Sequence, residues 1–114
     1  MSGISTHVLD TSRGTAASGV QVSLAREDAP SRWMMLTDTR TDAEGRVKSM
    51  LPPGVVLSAG NYRLRFDSGA YFRGQGTPAF FPHVEVTFAI SDPARHHHVP
   101  LLLSPFGYST YRGT

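Results

Sequence analysis

Three consecutive histidines are the residues whose type and spacing point most directly to chemistry. They occupy positions 96–98 at the start of an apolar run. Because the side chains of a strand alternate between its two faces, His96 and His98 would share one face with Pro100 and Leu102. Histidine beside leucine and proline is uncommon on a solvated surface and typical of a pocket wall or an interface. We therefore expect His98 to lie in such a wall, and the opposite face of the strand to be aliphatic core.

The same run also has a metal-binding interpretation, since imidazole is a common ligand of zinc and copper. His96 and His98 share a face, but a third ligand and an open coordination position would have to come from elsewhere in the chain. No carboxylate lies nearby at a recognisable metal spacing. The sequence thus predicts neither a metal nor another cofactor, and it favours a solvated strand end for His96 and His97.

Two residues suited to proton transfer or anion binding lie far from this run. His7 belongs to a short alternating stretch in which it shares a face with Ser5. Arg46 follows a turn sequence at residues 42–45, where Gly45 can adopt the positive φ of a tight hairpin. A single histidine or arginine in such a setting is more often structural or exposed than catalytic. Neither residue assigns a function by itself.

A tyrosine close to the C-terminal end offers an aromatic ring and a hydroxyl. Tyr111 alternates with Ser109 and Gly113, so these three residues would share a face of a final strand. Gly113 would leave room for another group to approach the backbone. The pattern is a weak indication of a binding surface.

Strands must position these side chains, because the recurring hydrophobic period is two rather than 3.6. β-branched and aromatic residues dominate the apolar faces. The predicted strands are residues 5–10, 20–25, 33–41, 62–67, 84–91, 96–103 and 108–112. Gly, Pro, Asn and Asp separate them at intervals that suit hairpins.

One stretch, residues 68–76, departs from this pattern. Asp67 or Ser68 can cap a single short helix there, and Gly74 and Gly76 can end it. Seven or eight short strands with turns between them predict an all-β fold, an antiparallel β-sandwich of two sheets with one short helix. The 114 residues, 39% of them hydrophobic, are enough for one domain, residues 1–114.

Composition narrows the function classes. The net charge of +2 comes mainly from dispersed arginines, so nucleic acid is not an expected partner, whereas a small anionic molecule is compatible. The absence of cysteine excludes disulfides and thiolate catalysis. No secretory leader or membrane span is visible, which makes the cytoplasm the expected compartment.

Four segments together resemble the family of 5-hydroxyisourate hydrolases, enzymes that are themselves similar to the hormone carrier transthyretin. The segments are STHVLDT at residues 5–11, RTDAEGRV at 40–47, FFPHVEVTF at 80–88 and HHHVPLLLSPFGYSTYRGT at 96–114. They occur in the family's order and cover most of the chain, so chance agreement is negligible.

The resemblance implies a transthyretin-like sandwich that assembles as a homotetramer, with active sites in a channel between dimers. It implies hydrolysis of 5-hydroxyisourate to 2-oxo-4-hydroxy-4-carboxy-5-ureidoimidazoline during urate degradation. It also implies that several residues converge on this small-molecule substrate, namely His7, Arg46, His98, Tyr111, Arg112, Gly113 and Thr114. The family's last residue is usually serine; Thr114 keeps the hydroxyl, so activity is expected to be retained.

Residue types then suggest roles. A neutral imidazole with a pKa of about 6.5 can accept a proton from water. We expect His7 to activate the water and His98 to be its partner in proton transfer, although the two roles can be exchanged. Arg46 would hold a carbonyl or anionic edge of the substrate and stabilise charge on oxygen, and Tyr111 would orient the ring.

Two other interpretations compete with the enzyme. A transthyretin-like carrier would bind a small molecule in the same channel without chemistry, and a structural or adhesive sandwich domain would need no site at all. A carrier has no need of a proton acceptor beside an arginine, which favours the enzyme. A clustering of polar residues on one wall speaks against the purely structural domain.

Overall fold

The computed structural model describes residues 3–114 and confirms the predicted all-β fold with one short helix. The bounds are β1 Gly3–Asp10, β2 Thr15–Ala16, β3 Gln21–Ala29, β4 Arg32–Arg40, β5 Arg46–Val47, β6 Gly60–Phe66, α1 Ser68–Arg73, β7 Val84–Ile90, β8 His96–Ser104 and β9 Gly107–Thr110. All seven predicted strands are present, with ends shifted by a few residues. The two additional strands, β2 and β5, have two residues each.

The strands form two sheets that pack face to face. In the first sheet the order is β2-β1-β8-β9, and β5 also pairs with β1. In the second sheet the order is β4-β3-β6-β7. Between them lies a core in which alternate residues of β1, β3, β6 and β8 are buried, as the period of two predicts. Leu24, Leu64 and Leu101 are all 0% exposed, and each such side chain contributes roughly 1.5–3 kcal/mol relative to an exposed one.

Pairing is antiparallel except between β1 and β8, which run parallel, with Ser5 opposite His98 and Val8 opposite Leu101. The predicted antiparallel β-sandwich is thus confirmed, and the β1–β8 pair is an exception to antiparallel pairing that the sequence does not predict. Turn residues between strands predict hairpins, in which neighbouring strands are antiparallel and joined by a short turn. A parallel pair needs a long crossover connection instead. Here the second sheet lies in the sequence between β1 and β8 and serves as that crossover.

His97 is the second point at which the sequence-based expectation fails. It is 6% exposed, and its side chain points to the core side of β8 together with Val99 and Leu101. The alternation that buries these aliphatic residues also buries His97, so it is not part of a solvated strand end. His96, on the other face, is exposed as expected.

The helix begins after Asp67 and ends at Arg73, followed by Gly74 at the C-cap. Asp67 holds the N-cap position, but its side chain makes no capping hydrogen bond. The predicted position of the helix is thus confirmed without the predicted capping contact. Within residues 3–114, no helix has the length and apolar character needed to cross a membrane.

A tight turn before β5 positions Arg46. The carboxylate of Asp42 accepts hydrogen bonds from the backbone N–H groups of Glu44 and Arg46, both at 2.9 Å. Gly45 has a φ of +76°, as predicted, and its carbonyl accepts a bond from the Val8 N–H at 2.7 Å. This turn therefore joins β5 to the middle of β1.

Replacing Gly45 by Ala is expected to destabilise the protein more than any ordinary turn glycine would. A Cβ at Gly45 would press against the Val8 carbonyl oxygen, in addition to the left-handed backbone conformation. We expect the free energy of unfolding to fall by about 2–4 kcal/mol in urea denaturation. The matched control is Gly14→Ala, which has a φ of +68° and open space around it; its expected loss is about 1 kcal/mol. Equal losses would contradict this account of the Gly45 turn.

Candidate active site

Three strands of the first sheet bring the candidate residues onto one outer face. On β1, the alternation that buries Thr6 and Val8 turns Ser5 and His7 to the other side. β5 places Arg46 directly opposite His7 in the antiparallel register. The β8 residue in register with Ser5 is His98. Residues that are far apart in the sequence therefore become neighbours through strand pairing alone.

These side chains line a pocket of about 430 Å³ that is open to solvent. This volume is within the range of small-molecule sites. The pocket is lined by Ser5, Thr6, His7, Arg46, Val47, Lys48, Arg95, His96, His98, Gly113 and Thr114. Three of these side chains are cationic, and no Asp or Glu is among them in the part of the chain that the structure describes. The positive potential favours an anionic or electron-rich ligand.

The hydrogen bond of His7 determines its tautomer. Its Nε2 lies 2.9 Å from the carbonyl oxygen of Glu44. A carbonyl oxygen only accepts, so the Nε2 of His7 carries a proton and donates it. In the neutral ring the lone pair is then on Nδ1, which is the atom able to act as a base. The same Asp42–Gly45 turn that positions Arg46 thus also orients His7.

His98 is held from two sides. Its Nδ1 lies 2.8 Å from the Oγ of Ser5. Its backbone carbonyl accepts a hydrogen bond from the Gly113 N–H at 2.8 Å, as part of an isolated bridge between the two residues. A Cβ at Gly113 would lie only 2.6 Å from the Cδ2 of His98. The absence of a side chain at Gly113 therefore allows the chain to pass directly over the ring.

The pKa of His98 is lowered from its usual value. Partial burial is the main cause, followed by the positive charges of His7, His96 and Arg46. His98 is accordingly neutral at physiological pH. In the unfolded chain, His98 has its usual pKa of about 6.5 and therefore binds a proton at a higher pH than it does in the folded protein. The free energy of unfolding that depends on neutral His98 is therefore fully present above about pH 6.5 and falls on acidification.

The three consecutive histidines have separate environments. His96 and His98 share the hydroxyl of Ser5, since the Nε2 of His96 lies 2.7 Å from the same Oγ. His97 lies in the core, and burial together with the charge of Arg112 lowers its pKa. Within residues 3–114, no group of three or more His, Cys, Asp or Glu side chains has an arrangement suited to a metal ion.

Five of the seven predicted site residues line this pocket, but Tyr111 and Arg112 do not. They line a neighbouring depression beside β7, which shares only His98 with the pocket. The expectation that Tyr111 and Gly113 share a face of a strand is wrong, because β9 already ends at Thr110. Past that point the chain no longer alternates, and Gly113 returns to His98 while Tyr111 remains 58% exposed. Its role in orienting a substrate stays a prediction.

Six further residues line the pocket that the sequence does not predict as site residues, namely Ser5, Thr6, Val47, Lys48, Arg95 and His96. The alternation places Ser5 on the same face as His7, but a serine alone suggests no role. For His96 the sequence favours a solvated strand end. Lys48 and Arg95 lie in short connecting segments without periodicity, so nothing in the sequence indicates their direction.

Comparisons with known proteins find similar sequences and similar structures over nearly the whole chain. The HIUase/Transthyretin family model matches residues 4–113. A 5-hydroxyisourate hydrolase of Mesorhizobium japonicum is 46% identical, over 97% of this chain and 91% of the relative. The structure of Klebsiella pneumoniae 5-hydroxyisourate hydrolase superposes with a TM-score of 0.86 and 41% identity, covering 99% of this chain and 100% of that chain. Sea bream transthyretin in complex with thyroxine gives a TM-score of 0.89 at 32% identity, covering 97% and 94% of the two chains.

The electrostatic coupling across the pocket predicts a pKa change. In His7→Gln the position can no longer become cationic, so the pKa of His98 is expected to rise toward about 6.5. The measurement is an NMR titration of the histidine ring protons. His83→Gln is the matched control, because His83 precedes β7 and lies outside the pocket. An unchanged His98 titration in His7→Gln would show that the two rings are not coupled.

Proposed function

The chain belongs to the HIUase/transthyretin family, and we propose that it hydrolyses 5-hydroxyisourate, a cyclic amide, during urate degradation. The observation that carries the proposal is the meeting of His7, Arg46 and His98 in one cationic pocket of about 430 Å³. Each imidazole there has its orientation fixed by a hydrogen bond. Relatives that are 46% and 41% identical over nearly the whole chain are named for this activity.

Binding of the substrate is assigned to the cations of the pocket. 5-Hydroxyisourate is a small, flat, oxidised purine with several carbonyl groups. The guanidinium of Arg46 can donate two parallel hydrogen bonds to one edge of such a ring. It also stabilises the negative charge that forms on the carbonyl oxygen when water attacks. Arg46 lies opposite His7 in the strand register, so the polarised carbonyl and the attacking water are held side by side.

Proton transfer is assigned to the two imidazoles. His7 takes a proton from the attacking water at Nδ1, because its Nε2–H is engaged by the Glu44 carbonyl. His98 supplies a proton to the ring nitrogen as the carbon–nitrogen bond breaks. The Nε2 of His98 is the atom available for this step, since its Nδ1 faces Ser5. The remaining candidate residues, Tyr111, Arg112, Gly113 and Thr114, complete the substrate-binding surface.

A homotetramer in the cytoplasm is part of the same proposal. β7 and β9 are edge strands of the second and the first sheet, and within residues 3–114 each has one side without a strand partner. Unpaired edges of this kind are suited to pairing with another copy of the chain. Tyr108 in β9 and Tyr111 just after β9 are exposed. A neighbouring subunit would also close the open side of the pocket, which would strengthen its electrostatic interactions.

Arg46→Ala tests the proposed activity. We expect kcat/KM for freshly generated 5-hydroxyisourate to fall by about 10²–10³-fold, because one donor group to the developing oxyanion is lost. The measurement is the decay of ultraviolet absorbance of the substrate, with size-exclusion chromatography to verify that assembly is unchanged. Arg32→Ala is the matched control, since Arg32 pairs with Asp28 in an exposed hairpin and does not line the pocket.

The same assay separates the enzyme from a carrier. A carrier of the transthyretin type would bind the substrate without accelerating its decay. Wild-type protein that leaves the spontaneous rate of decay unchanged, or an Arg46→Ala variant with full turnover, would refute the proposed function.

Gly113→Ala tests the close approach over His98. The new methyl group must displace the imidazole, whose other side is held by Ser5. We expect kcat to fall by about tenfold or more, because a small misplacement of a proton donor has a large effect on rate, while the urea midpoint stays close to that of wild type. Gly107→Ala is the control, since its Cβ would make an ordinary 3.7 Å contact with Ser104. Wild-type kcat in Gly113→Ala would contradict the role assigned to His98.

A further inference from the structure

A nearly buried serine lies between two histidines of the pocket, and the activity proposed above gives it no role. The Oγ of Ser5 lies 2.7 Å from the Nε2 of His96 and 2.8 Å from the Nδ1 of His98. Ser5 is 8% exposed, so its hydroxyl has little access to solvent. The two rings project from the same face of β8, and Ser5 lies beside them on the parallel neighbour β1.

This arrangement couples the protonation states of the two rings. A serine hydroxyl carries a single proton, so it can donate to only one of the two nitrogens and must accept from the other. When Ser5 donates to the Nδ1 of His98, the neutral His98 ring has its proton on Nε2, facing the pocket. The Nε2 of His96 must then carry a proton and donate it to Ser5. When both bonds reverse, the Nε2 of His98 holds the lone pair instead.

The His96 end of this series of hydrogen bonds is open to water. His96 is exposed, while His98 is half-buried and its pKa is lowered by burial. Gly3 is in register with His96, and a Cβ there would lie 3.2 Å from the Nδ1 of the ring. The glycine leaves room for His96 to lie against β1 with its Nε2 directed to Ser5. His96 therefore connects the hydroxyl to solvent.

We infer that Ser5 is a positioning residue that links His98 to His96 as a proton relay. Through this relay the Nδ1 of His98 receives a proton from the solvent-exposed side while its Nε2 stays at the substrate. The inference rests on the proposed hydrolysis. As the carbon–nitrogen bond of the substrate breaks, the leaving nitrogen takes the proton from the Nε2 of His98. The Nδ1 of His98 takes the proton of the Ser5 hydroxyl, and the oxygen takes one from the Nε2 of protonated His96.

The protons balance over this step. His98 ends neutral with its proton on Nδ1, Ser5 remains a hydroxyl, and His96 changes from the imidazolium to the neutral ring. The proton removed from water resides on His7. To complete the cycle, His98 takes a proton from water in the pocket at Nε2 and returns its Nδ1 proton through Ser5 to the Nε2 of His96, which becomes an imidazolium again. His7 releases its proton to solvent.

Ser5→Ala is the first test, with turnover of 5-hydroxyisourate measured in mixtures of H₂O and D₂O. We expect kcat to fall by about tenfold, which is less than the roughly 10²–10⁴-fold for loss of a general acid because His98 itself remains. KM should change by less than about twofold, since Ser5 does not bind the substrate. The dependence of kcat on the deuterium fraction should be curved in the wild type, where several protons move together, and linear in the variant. Ser5→Thr keeps the hydroxyl and should restore both kcat and the curvature.

His96→Gln separates a relay from a merely structural hydrogen bond. The amide of glutamine can still donate a hydrogen bond to Ser5, but it cannot take or lose a proton at physiological pH. We expect it to lower kcat as much as Ser5→Ala does, with an unchanged urea midpoint. Ser23→Ala is the matched control, because it removes a serine hydroxyl from a central strand of the other sheet, far from the pocket.

Wild-type kcat with a curved isotope dependence in either Ser5→Ala or His96→Gln would overturn the relay. That result would leave the proposed hydrolysis standing as long as Arg46→Ala is inactive. If the wild-type protein itself does not accelerate decay of 5-hydroxyisourate, the proposed function fails first, and the relay fails with it.

Discussion

The parallel pairing of β1 with β8 is the constraint on which the pocket depends. It brings the first strand of the chain beside the strand that follows the whole second sheet, and its register places Ser5 opposite His98. Because the side-chain period of a strand is two, a slip of one residue would turn His98 to the core and His97 to the pocket. The register is fixed by burial on the inner face, where Val8 and Leu101 are fully buried opposite each other. Core packing thus determines the geometry of the site on the other side of the sheet.

The turn before β5 brings the charged side chain of Arg46 to the pocket. Asp42 and Gly45 close the turn, whose two-residue strand pairs with β1 at Thr6 and His7. Arg46 needs no contact of its own to be held in place, because the backbone ladder positions it. The same turn supplies the Glu44 carbonyl that fixes the tautomer of His7. This one turn therefore sets both the position of Arg46 and the tautomer of His7.

Much of this arrangement could be predicted from the sequence, because periodicity reports faces directly. The alternation in β1 and β8 correctly assigned His7 and His98 to the outer face and the leucines of β8 to the core. Relatives and solved structures bear out the family and the transthyretin-like sandwich that the four sequence segments indicated. The predicted hydrolase activity is the one that relatives such as that of Mesorhizobium japonicum are named for.

Other features could not be predicted, for definable reasons. A two-residue strand such as β5 shows no period, and a parallel pairing between distant strands leaves no turn signature. Alternation predicts the face of Tyr111 only if the strand continues to it, and β9 ends at Thr110. The polar side chain of His97 suggests exposure to solvent, but its position in the alternation places it on the buried face of β8. In each case the feature depends on contacts with residues that are distant in the sequence, which the local pattern does not encode.

The electrostatics of the pocket follow from what the strands bring together. Burial is the main reason that the pKa of His98 is lowered, and the charges of His7, His96 and Arg46 lower it further. A bound anion has the opposite sign and offsets this repulsion. The charges that attract an anion to the pocket therefore also act together with burial to keep His98 neutral. The attraction of the pocket for anions and the neutral state of His98 thus share one contribution, the cluster of cations on this face of the sheet, to which burial of the ring adds.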